Sequence, residues 1–257
     1  MNIYTYYEDV GFNYQTELIE VWKKSWSRQG FVPVVLTRID AQKSPLYEKY
    51  YSFIQRIHKN ISDKILPENS YWLAAQLEIA AFTTIEKQEP SYISDYDLIN
   101  RDFQFKPKVG KLHWRDECCS CFASSNGNNW IKYIKFLLTQ ENIITDWCLK
   151  EKLNTKREYF HDQDFLIAIK DQGLEQNIFK MSRKPDLCQM YFPVINNKSI
   201  KTYHVSHNNV KKITAIYNTY NNILNINNAD IVYDNLDKIR LNIAKEILSI
   251  EHDKTTL

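Results

Sequence analysis

Residues 3–36 constrain the fold most, because they predict a strand, a helix and a second strand in close succession. Residues 3–7 have the composition of a strand, and residues 13–29 carry apolar side chains at helical spacing, followed by Gly30 where a helix C-cap is expected. Residues 31–36 are almost continuously apolar, which predicts a buried strand of a parallel sheet. Together these elements predict a βαβ unit, whose crossover is right-handed.

The alternation of strands and helices continues further along the chain. Helical patterns cover residues 45–58 and 70–82, and a strand begins at Tyr92 and ends at Asp95. Such alternation is typical of an open, mostly parallel sheet flanked by helices on both faces. The predicted fold class is therefore α/β.

The C-terminal part of the chain has a different pattern. Residues 213–248 read as helices, so we expect a helical C-terminal segment. The chain has 257 residues and is 44% hydrophobic, which is enough for a packed core. We predict a main domain over residues 1–212 and a helical segment over residues 213–257 that packs on it.

Two carboxylates, Asp95 and Asp97, lie where the third predicted strand ends. Side chains two residues apart on extended backbone point the same way, so the pair can share a divalent cation that also holds phosphate oxygens. Open parallel sheets bind ligands beyond the carboxyl ends of their strands, where residues 5–8 and Asp40 also lie. Because this spacing is common by chance, two solvated acids in a turn is the alternative interpretation.

The composition excludes several classes of protein. A net charge of +2 and a pI near 8.1 lack the bulk positive charge of a nucleic-acid-binding chain. No apolar run approaches the roughly 20 residues of a membrane helix, and the first residues do not have the pattern of a secretion signal. Five cysteines, an odd number, fit a reduced compartment. We therefore expect a soluble, cytoplasmic protein without a membrane span.

Common ligand motifs are absent from the sequence. Neither G-x-G-x-x-G nor G-x-x-x-x-G-K-[ST] occurs, so a bound nucleotide has no glycine-rich loop for its phosphates. A metal on Asp95 and Asp97 is then the expected neutralising group. The thiols of Cys118, Cys119 and Cys121 do not have the spacing of a zinc site, and we expect them on a partly buried strand.

The βαβ unit followed by Ser94-Asp95-Tyr96-Asp97 resembles the nucleotide-sugar-binding half of GT-A glycosyltransferases. The likeness is greatest to small bacterial and viral members with an SDYD motif, and it covers roughly residues 1–210 in the order of features. It implies an enzyme that moves a sugar from a nucleotide diphosphate donor, with a uridine diphosphate sugar the expected donor and Mn²⁺ or Mg²⁺ the cofactor. A viral protein would act in the host cytoplasm.

The same resemblance assigns a metal site. Asp97 would ligate the cation that bridges the donor diphosphate, and Asp95 would reach the cation or the ribose. His204, after a short segment near the C-terminal end of the main domain, would close the metal site.

The resemblance also assigns contacts to the donor. Thr5 and Tyr6, at the end of the first strand, would lie against the base, and Asp40 would lie near the uridine or ribose. Many relatives carry an arginine on the helix before the motif that contacts the donor sugar or phosphate. This chain has no arginine there, and Gln76 is the nearest polar candidate.

Asp162, Gln163 and Asp164 resemble the "DQD" turn at the start of a helix in several retaining sugar transferases. The resemblance places Asp162 or Gln163 against donor hydroxyls, and it favours a retaining reaction. An inverting reaction needs a general base, for which Asp116, Glu117 and Asp164 are the candidates. The structural alternative is a helix that Asp162 caps, with Gln163 and Asp164 in its first turn.

Residues 121–130 predict a strand, a turn and a helix that begins near Asn129. In the GT-A family a loop of small residues at this point lies beside the donor sugar. A plain turn and helix cap is the alternative interpretation for each of these residues.

Two other functions stay open. One is a viral enzyme that glycosylates a modified base in DNA, so that the acceptor is a DNA base rather than a glycan; the basic and aromatic residues that could line its groove are Lys106, Lys108, Lys111, His113, Trp114 and Arg115. The other is a non-catalytic α/β module in which Asp95 and Asp97 bind a cation or nucleotide. The sequence selects neither a sugar nor an oligomeric state.

Overall fold

A computed structural model describes residues 1–104, 106–107, 112–115, 122–174, 179–182, 202–205 and 233–249. The elements in these ranges are, in chain order, β1 (Asn2–Tyr6), α1 (Gln15–Ser27), β2 (Val32–Leu36), α2 (Arg38–Gln42), α3 (Tyr47–Ser62), α4 (Tyr71–Phe82), β3 (Ser91–Ser94), β4 (Leu98–Asn100), β5 (Leu112–Arg115), β6 (Phe122–Ser125), α5 (Gly127–Leu137), α6 (Glu141–Thr155), α7 (Asp162–Asp171), β7 (Phe179–Ser182), β8 (Thr202–His204) and α8 (Tyr233–Ser249).

The main sheet is open and mixed, and most of its strands run in one direction. Within the described ranges it has six strands in the order β2-β1-β3-β6-β5-β7. The pairs β1–β2, β1–β3 and β5–β7 are parallel, whereas β6 is antiparallel to both of its neighbours. Since β6 alone is reversed among these six, the predicted α/β class with a mostly parallel sheet is confirmed. Strands β4 and β8 form a separate antiparallel pair.

The N-terminal βαβ unit is present, but β2 is not the buried strand that its apolar run predicts. Among the strands that the structure describes, β1 alone pairs with it, so it lies at the edge of the main sheet, and Val32 is 54% exposed. An edge position also suits Pro33, which has no N–H to donate to a second neighbour. Gly30, at φ +80°, makes the left-handed turn that joins α1 to β2.

Helix α4 is the central helix on one face of the sheet. Ser70 caps it, because its Oγ accepts a hydrogen bond from the Leu73 N–H at 3.2 Å. The helix packs against β1 and β2 and against α2, α3, α5 and α7. A helix surrounded in this way needs apolar residues on every side, which explains why the residues from Tyr71 to Phe82 show no polar face.

The opposite face of the sheet holds an aromatic core that fixes the chain around the D-x-D motif. Trp26 packs with Phe31, Phe103 and Phe122 at centroid distances of 5.0–6.0 Å. Its Nε1 donates to the Leu98 carbonyl at 3.0 Å. The Nε1 of Trp22 likewise donates to Ser94 Oγ at 2.9 Å. The residues just before and just after the motif are therefore anchored to α1.

The C-terminal helix α8 packs on this aromatic core. It contacts α1 and β4 and buries Leu236, Leu241, Ala244 and Ile247. The predicted packing of a C-terminal helix on the main domain is therefore found for residues 233–249. Residues 206–232 lie outside the described residues, so the domain boundary at residue 212 stays a prediction. No helix in the described ranges has both the length and the apolar character of a membrane span.

The turn after β6 lies far from the D-x-D motif along the sheet. Asn126 caps α5 through its Oδ1, which accepts from the Asn129 N–H at 3.0 Å. Because β6 is antiparallel to β3, Ser125 pairs with Ser91, at the amino end of β3. Asp95 follows the carboxyl end of that strand. The plain turn and helix cap is therefore confirmed, whereas a place of this loop beside a donor sugar stays a prediction.

Gly127 allows α5 to start against the segment that follows α4. A Cβ at this position would lie 2.3 Å from the Ile85 carbonyl oxygen and 2.9 Å from that of Thr83. Both are backbone atoms, which cannot move away as a side chain can. The close contact therefore requires glycine.

We expect Gly127→Ala to lower the free energy of unfolding by about 1–3 kcal/mol, measured by urea denaturation. Alanine has the higher helix propensity, so a loss of stability identifies the clash. Asn128→Ala, at the exposed next position, is the matched control and should change stability by less than about 0.5 kcal/mol. Equal stability of Gly127→Ala and wild type would contradict this account of the turn.

Candidate functional site

The carboxyl ends of β1, β2 and β3 meet at one edge of the sheet, because these three strands are parallel. The hydroxyl of Tyr6 donates to Glu8 Oε2 at 2.7 Å, and Glu8 forms an ion pair with Arg38 at the start of α2. Burial, with Glu8 as hydrogen-bond acceptor and negative neighbour, raises the pKa of Tyr6. Tyr6 therefore stays protonated at neutral pH, and Arg38 supplies positive charge at this edge.

Three carboxylates from three elements lie together beside this edge, and we call them the acidic group: Glu78 on α4, Asp95 after β3 and Asp162 at the first position of α7. Burial, followed by the negative charges of Asp162 and Asp95, raises the pKa of Glu78 well above its ordinary value. Glu78 also shares a hydrogen bond with Asp162. Two ionised carboxylates cannot share a hydrogen bond, so this contact requires one proton on the pair, and the raised pKa of Glu78 makes its carboxyl the expected holder.

Aromatic side chains flank the acidic group. Tyr71 precedes Glu78 by two turns of α4, and its ring lies 6.0 Å from Phe12, in the loop after β1. Burial and the charges of Asp162, Asp95 and Glu78 raise the pKa of Tyr71, although 48% of the residue is exposed. Its phenol is therefore a neutral hydrogen-bond donor beside the carboxylates.

Asp97 is buried in an ion pair that the sequence does not predict. Its Oδ2 accepts from Arg240 Nη2 on α8 at 2.8 Å, and Arg240 Nη1 is 3.2 Å from Asp237 Oδ1. The Asp97 carbonyl accepts from the Val205 N–H at 2.9 Å. Leu98 pairs with His204 between β4 and β8, so the backbone brings His204 next to Asp97. The His204 side chain lies outside the described residues.

The described residues do not by themselves form a metal site. Among them, no group of three or more histidine, cysteine, aspartate or glutamate side chains is arranged to hold a metal ion. One oxygen of Asp97 is already bound to Arg240. The thiols of Cys118, Cys119 and Cys121 lie outside the described residues. Binding of Mn²⁺ or Mg²⁺ by Asp95, Asp97 and His204 therefore stays a prediction.

The three predicted catalytic residues at the start of α7 have different surroundings and roles. The N-cap is His161 rather than Asp162, and its N–H donates to Asp164 Oδ2 at 2.9 Å. Asp164 also forms an ion pair with Arg157 at 2.7 Å, so both of its oxygens serve the helix start. Gln163 is half-buried in the first turn. Of the three residues, Asp162 is the one that contributes to the acidic group.

The histidine cap stacks on α4. The His161 ring lies 5.6 Å from the Trp72 ring at an interplanar angle of 11°. Burial lowers the pKa of His161, but the hydrogen bond and charge of Asp162 and the charge of Asp164 outweigh it, so the net shift is upward. This stack places the first turn of α7 against the helix that carries Glu78.

The predicted donor contacts have structural partners of their own. Asp40 accepts from the Thr37 N–H at 2.9 Å and from Lys43 Nζ at 2.8 Å. Burial alone would raise the pKa of Asp40, but these hydrogen bonds lower it overall. Gln76 is fully buried, and its Oε1 accepts from the Tyr50 hydroxyl at 3.2 Å. Contacts of Asp40 and Gln76 with a donor stay predictions.

Thr5 and Tyr6 project from opposite faces of β1 because strand side chains alternate. Tyr6 belongs to the α4 side of the sheet, and Thr5 is fully buried on the α1 side. Only Tyr6 therefore shares a face with the acidic group. Asp116 and Glu117, the other candidate bases, lie outside the described residues.

Sequence reasoning missed Glu78, Tyr71 and Arg240. A signal for Glu78 was present, because it is the only charged residue between Tyr71 and Phe82. A lone acid in a fully packed apolar helix is costly and so points to a function or a specific partner. No comparable signal marks Arg240, which is one of several charged residues on an amphipathic helix.

Comparisons with known proteins add to this description. A family model described as "Domain of unknown function (DUF8765)" matches residues 1–78, from the N-terminus to Glu78. No curated protein matches the chain. The fold is similar to the apo-form glycosyltransferase GlyE of Streptococcus pneumoniae TIGR4, with 14% identity, a TM-score of 0.38 and coverage of 96% of this chain and 61% of that one. A second GlyE structure gives 12% identity, a TM-score of 0.37, and 96% and 62% coverage. This chain spans about three fifths of the GlyE chains.

We expect Glu78→Gln to raise the free energy of unfolding relative to wild type, by an amount that grows with pH. The folded pKa of Glu78 is raised, so its neutral form stabilises the fold below the ordinary glutamate pKa. That contribution is lost as pH rises through the folded value, because Glu78 of the unfolded chain ionises first. Glutamine keeps the shape and a hydrogen-bond donor but does not titrate.

Urea denaturation of both proteins across acidic to neutral pH measures this difference. Exposed Glu89→Gln is the matched control and should leave the pH dependence of stability unchanged. If Glu78→Gln and wild type lose stability in parallel as pH rises, Glu78 does not hold a proton in the folded protein.

Proposed function

We propose that this chain is a glycosyltransferase that moves a sugar from a nucleotide diphosphate donor to an acceptor. The acidic group carries the proposal, because α4, the end of β3 and the start of α7 bring the carboxylates of Glu78, Asp95 and Asp162 together at the carboxyl ends of the parallel strands. The breaking glycosidic bond gives the sugar the positive charge of an oxocarbenium ion, and carboxylates held in place stabilise that charge. The α/β sheet and the SDYD resemblance support the same function.

The three carboxylates suit different roles. Asp162 and Asp95 are the candidates for accepting hydrogen bonds from donor hydroxyls and for stabilising the anomeric centre. A carboxyl group whose pKa is raised by burial and by neighbouring carboxylates, as that of Glu78 is, is typical of sites that hold and transfer a proton. Glu78 therefore can give a proton to, or take one from, a reacting oxygen. A retaining course, which needs no strong base on the acceptor, is part of the proposal.

The nucleotide of the donor is proposed to bind at the carboxyl ends of β1 and β2. Tyr6 lies there with its ring buried on the α4 side of the sheet. The guanidinium of Arg38 is paired with Glu8 and Glu68, so a donor phosphate would replace one of these carboxylates on Arg38. Uridine diphosphate is the expected nucleotide by the SDYD resemblance. Asp40 would need to exchange its bond with Lys43 for one with the ribose.

Mn²⁺ or Mg²⁺ is the proposed cofactor. Asp95, Asp97 and His204 would hold it together with the donor phosphates, since such cations are often bound by one or two carboxylates plus substrate oxygens. When bound, the cation would neutralise the charge of the leaving diphosphate. Arg240 must then share Asp97 with the cation.

The acceptor is a glycan or a modified DNA base. The basic residues that favour DNA include Lys108 and Lys111, which lie outside the described residues. A cytoplasmic location is proposed for either acceptor. In the binding-module alternative, Asp95 and Asp97 bind a cation or nucleotide without catalysis, and the Asp97–Arg240 pair also joins α8 to the motif.

We expect one uridine diphosphate sugar to bind in the presence of Mn²⁺, measured by calorimetry with a panel of nucleotide sugars. Chelation of the metal should weaken binding, and Asp97→Ala should abolish the metal dependence. Absence of binding to every donor with Mn²⁺ present would contradict the glycosyltransferase proposal. Binding without any release of sugar, with water or a glycan as acceptor, would favour the binding module.

We expect Asp162→Asn to reduce turnover of the bound donor by about 100- to 10 000-fold, because asparagine cannot stabilise the positive charge of the transition state. Donor affinity should change much less, since the amide keeps the hydrogen bonds of the ground state. Asp146→Asn, an exposed site on α6, is the matched control. A loss of affinity that equals the loss of turnover would assign Asp162 to donor binding alone.

A further inference from the structure

Arg240 connects three segments of the chain that are distant in sequence. It is 3% exposed, and its guanidinium donates Nη2 to Asp97 Oδ2 and Nε to the Val205 carbonyl, each at 2.8 Å. It also pairs with Asp237 on its own helix at 3.2 Å. A planar guanidinium with fixed donors holds such acceptors at defined angles, which a flexible ammonium group does not.

These contacts close a ring around the D-x-D motif. Val205 donates its N–H to the Asp97 carbonyl at 2.9 Å, while its own carbonyl accepts from Arg240. Both the side chain and the backbone of Asp97 are therefore tied to the residue that follows His204. The position of Asp97 relative to β8 is consequently set from α8.

A second connection leads from α8 to the other side of the site. Asp237 Oδ2 accepts from the Asn13 N–H at 3.2 Å. Asn13 follows Phe12, whose ring contacts Tyr71 beside the acidic group. One helical turn of α8 thus holds both the D-x-D motif and the loop after β1.

The cost of burying Arg240 with two carboxylates indicates that these ion pairs do more than stabilise the fold. Burying a guanidinium and two carboxylates costs solvation that their attraction often does not recover, and well-packed apolar residues are frequently as stable or more so. Asp97 is 8% exposed and Asp237 is 4% exposed, so both acids bear this cost. What the ion pairs add is a defined geometry for the groups they join.

We propose that Arg240 is a positioning residue of the donor site, which fixes Asp97 against the strand that carries His204. The C-terminal helix is then a component of the site rather than an appendage to the main domain. This inference rests on the proposed function for its ligand, a nucleotide diphosphate sugar. The ring of contacts that it invokes exists independently of that function.

The test compares full-length wild type with Arg240→Lys, which keeps the charge but cannot reach all three acceptors. Lys238→Gln, an exposed position on the same helix, is the matched control. Loss of a supporting contact typically weakens a site by about 10- to 100-fold, so we expect the Kd of the uridine diphosphate sugar to rise by that factor in Arg240→Lys. The control should bind as wild type does.

Hydrogen exchange supplies a readout that needs no donor. In Arg240→Lys, the amides of Leu98 and Val205 should exchange at least about tenfold faster, whereas those of β1 should not change. Uniformly faster exchange would show general destabilisation and would overturn a positioning role. Wild-type exchange at Val205 together with wild-type donor affinity would overturn it as well.

A further measurement uses wild type alone and so does not depend on the folding of a variant. Donor binding should slow exchange at Val205 and in α8 if these elements belong to the site. Donor binding without any change in α8 would overturn the proposal. If wild type binds no donor, the proposed function and the positioning role both fail, and the Arg240→Lys exchange result then shows only whether the ring of contacts is rigid.

Discussion

The contact between Glu78 on α4 and Asp162 at the first position of α7 is the constraint on which the arrangement of the site depends. Glu78 lies on a helix that is packed on nearly every side, so the cost of ionising it is high. Asp162 reaches it only because α7 begins at that point, with His161 stacked on Trp72 of the same helix. The contact between α4 and α7 therefore fixes the acidic group. The sheet adds Asp95 at the end of β3.

The two cores of the molecule meet the site from opposite faces of the sheet. The α4 side supplies Glu78, Tyr71 and Tyr6, whereas the α1 side anchors the chain on either side of the D-x-D motif through Trp22 and Trp26. Neither core alone holds the motif in place. A change in the packing of either core should therefore shift residues at the carboxyl ends of β1, β2 and β3, since close-packed interiors transmit strain.

Local patterns account for what the sequence could predict. The strand–helix–strand unit, the helix over residues 70–82 and a helix that starts close to Asp162 each follow from apolar periodicity or turn chemistry along continuous stretches of chain, although the N-cap of the last helix is His161 and not Asp162. The edge position of β2 could not be predicted, because an apolar run does not reveal how many strands pair with it. The place of the Asn126 turn in the sheet could not be predicted either, because it depends on the reversal of β6, which is a property of the whole sheet.

In the candidate site, too, features set by neighbouring residues could be predicted and contacts between distant segments could not. The D-x-D pair was visible as a motif. The partner of Asp97, Arg240, is 143 residues away, and the sequence near residue 240 does not predict the contact. Glu78 is a half-buried acid on an otherwise apolar helix and Arg240 is a buried cation, and both adjoin the motif. Natural proteins tend to break local rules where function requires it. Two costly exceptions that converge on one edge of the sheet therefore favour that edge as the place where the protein acts.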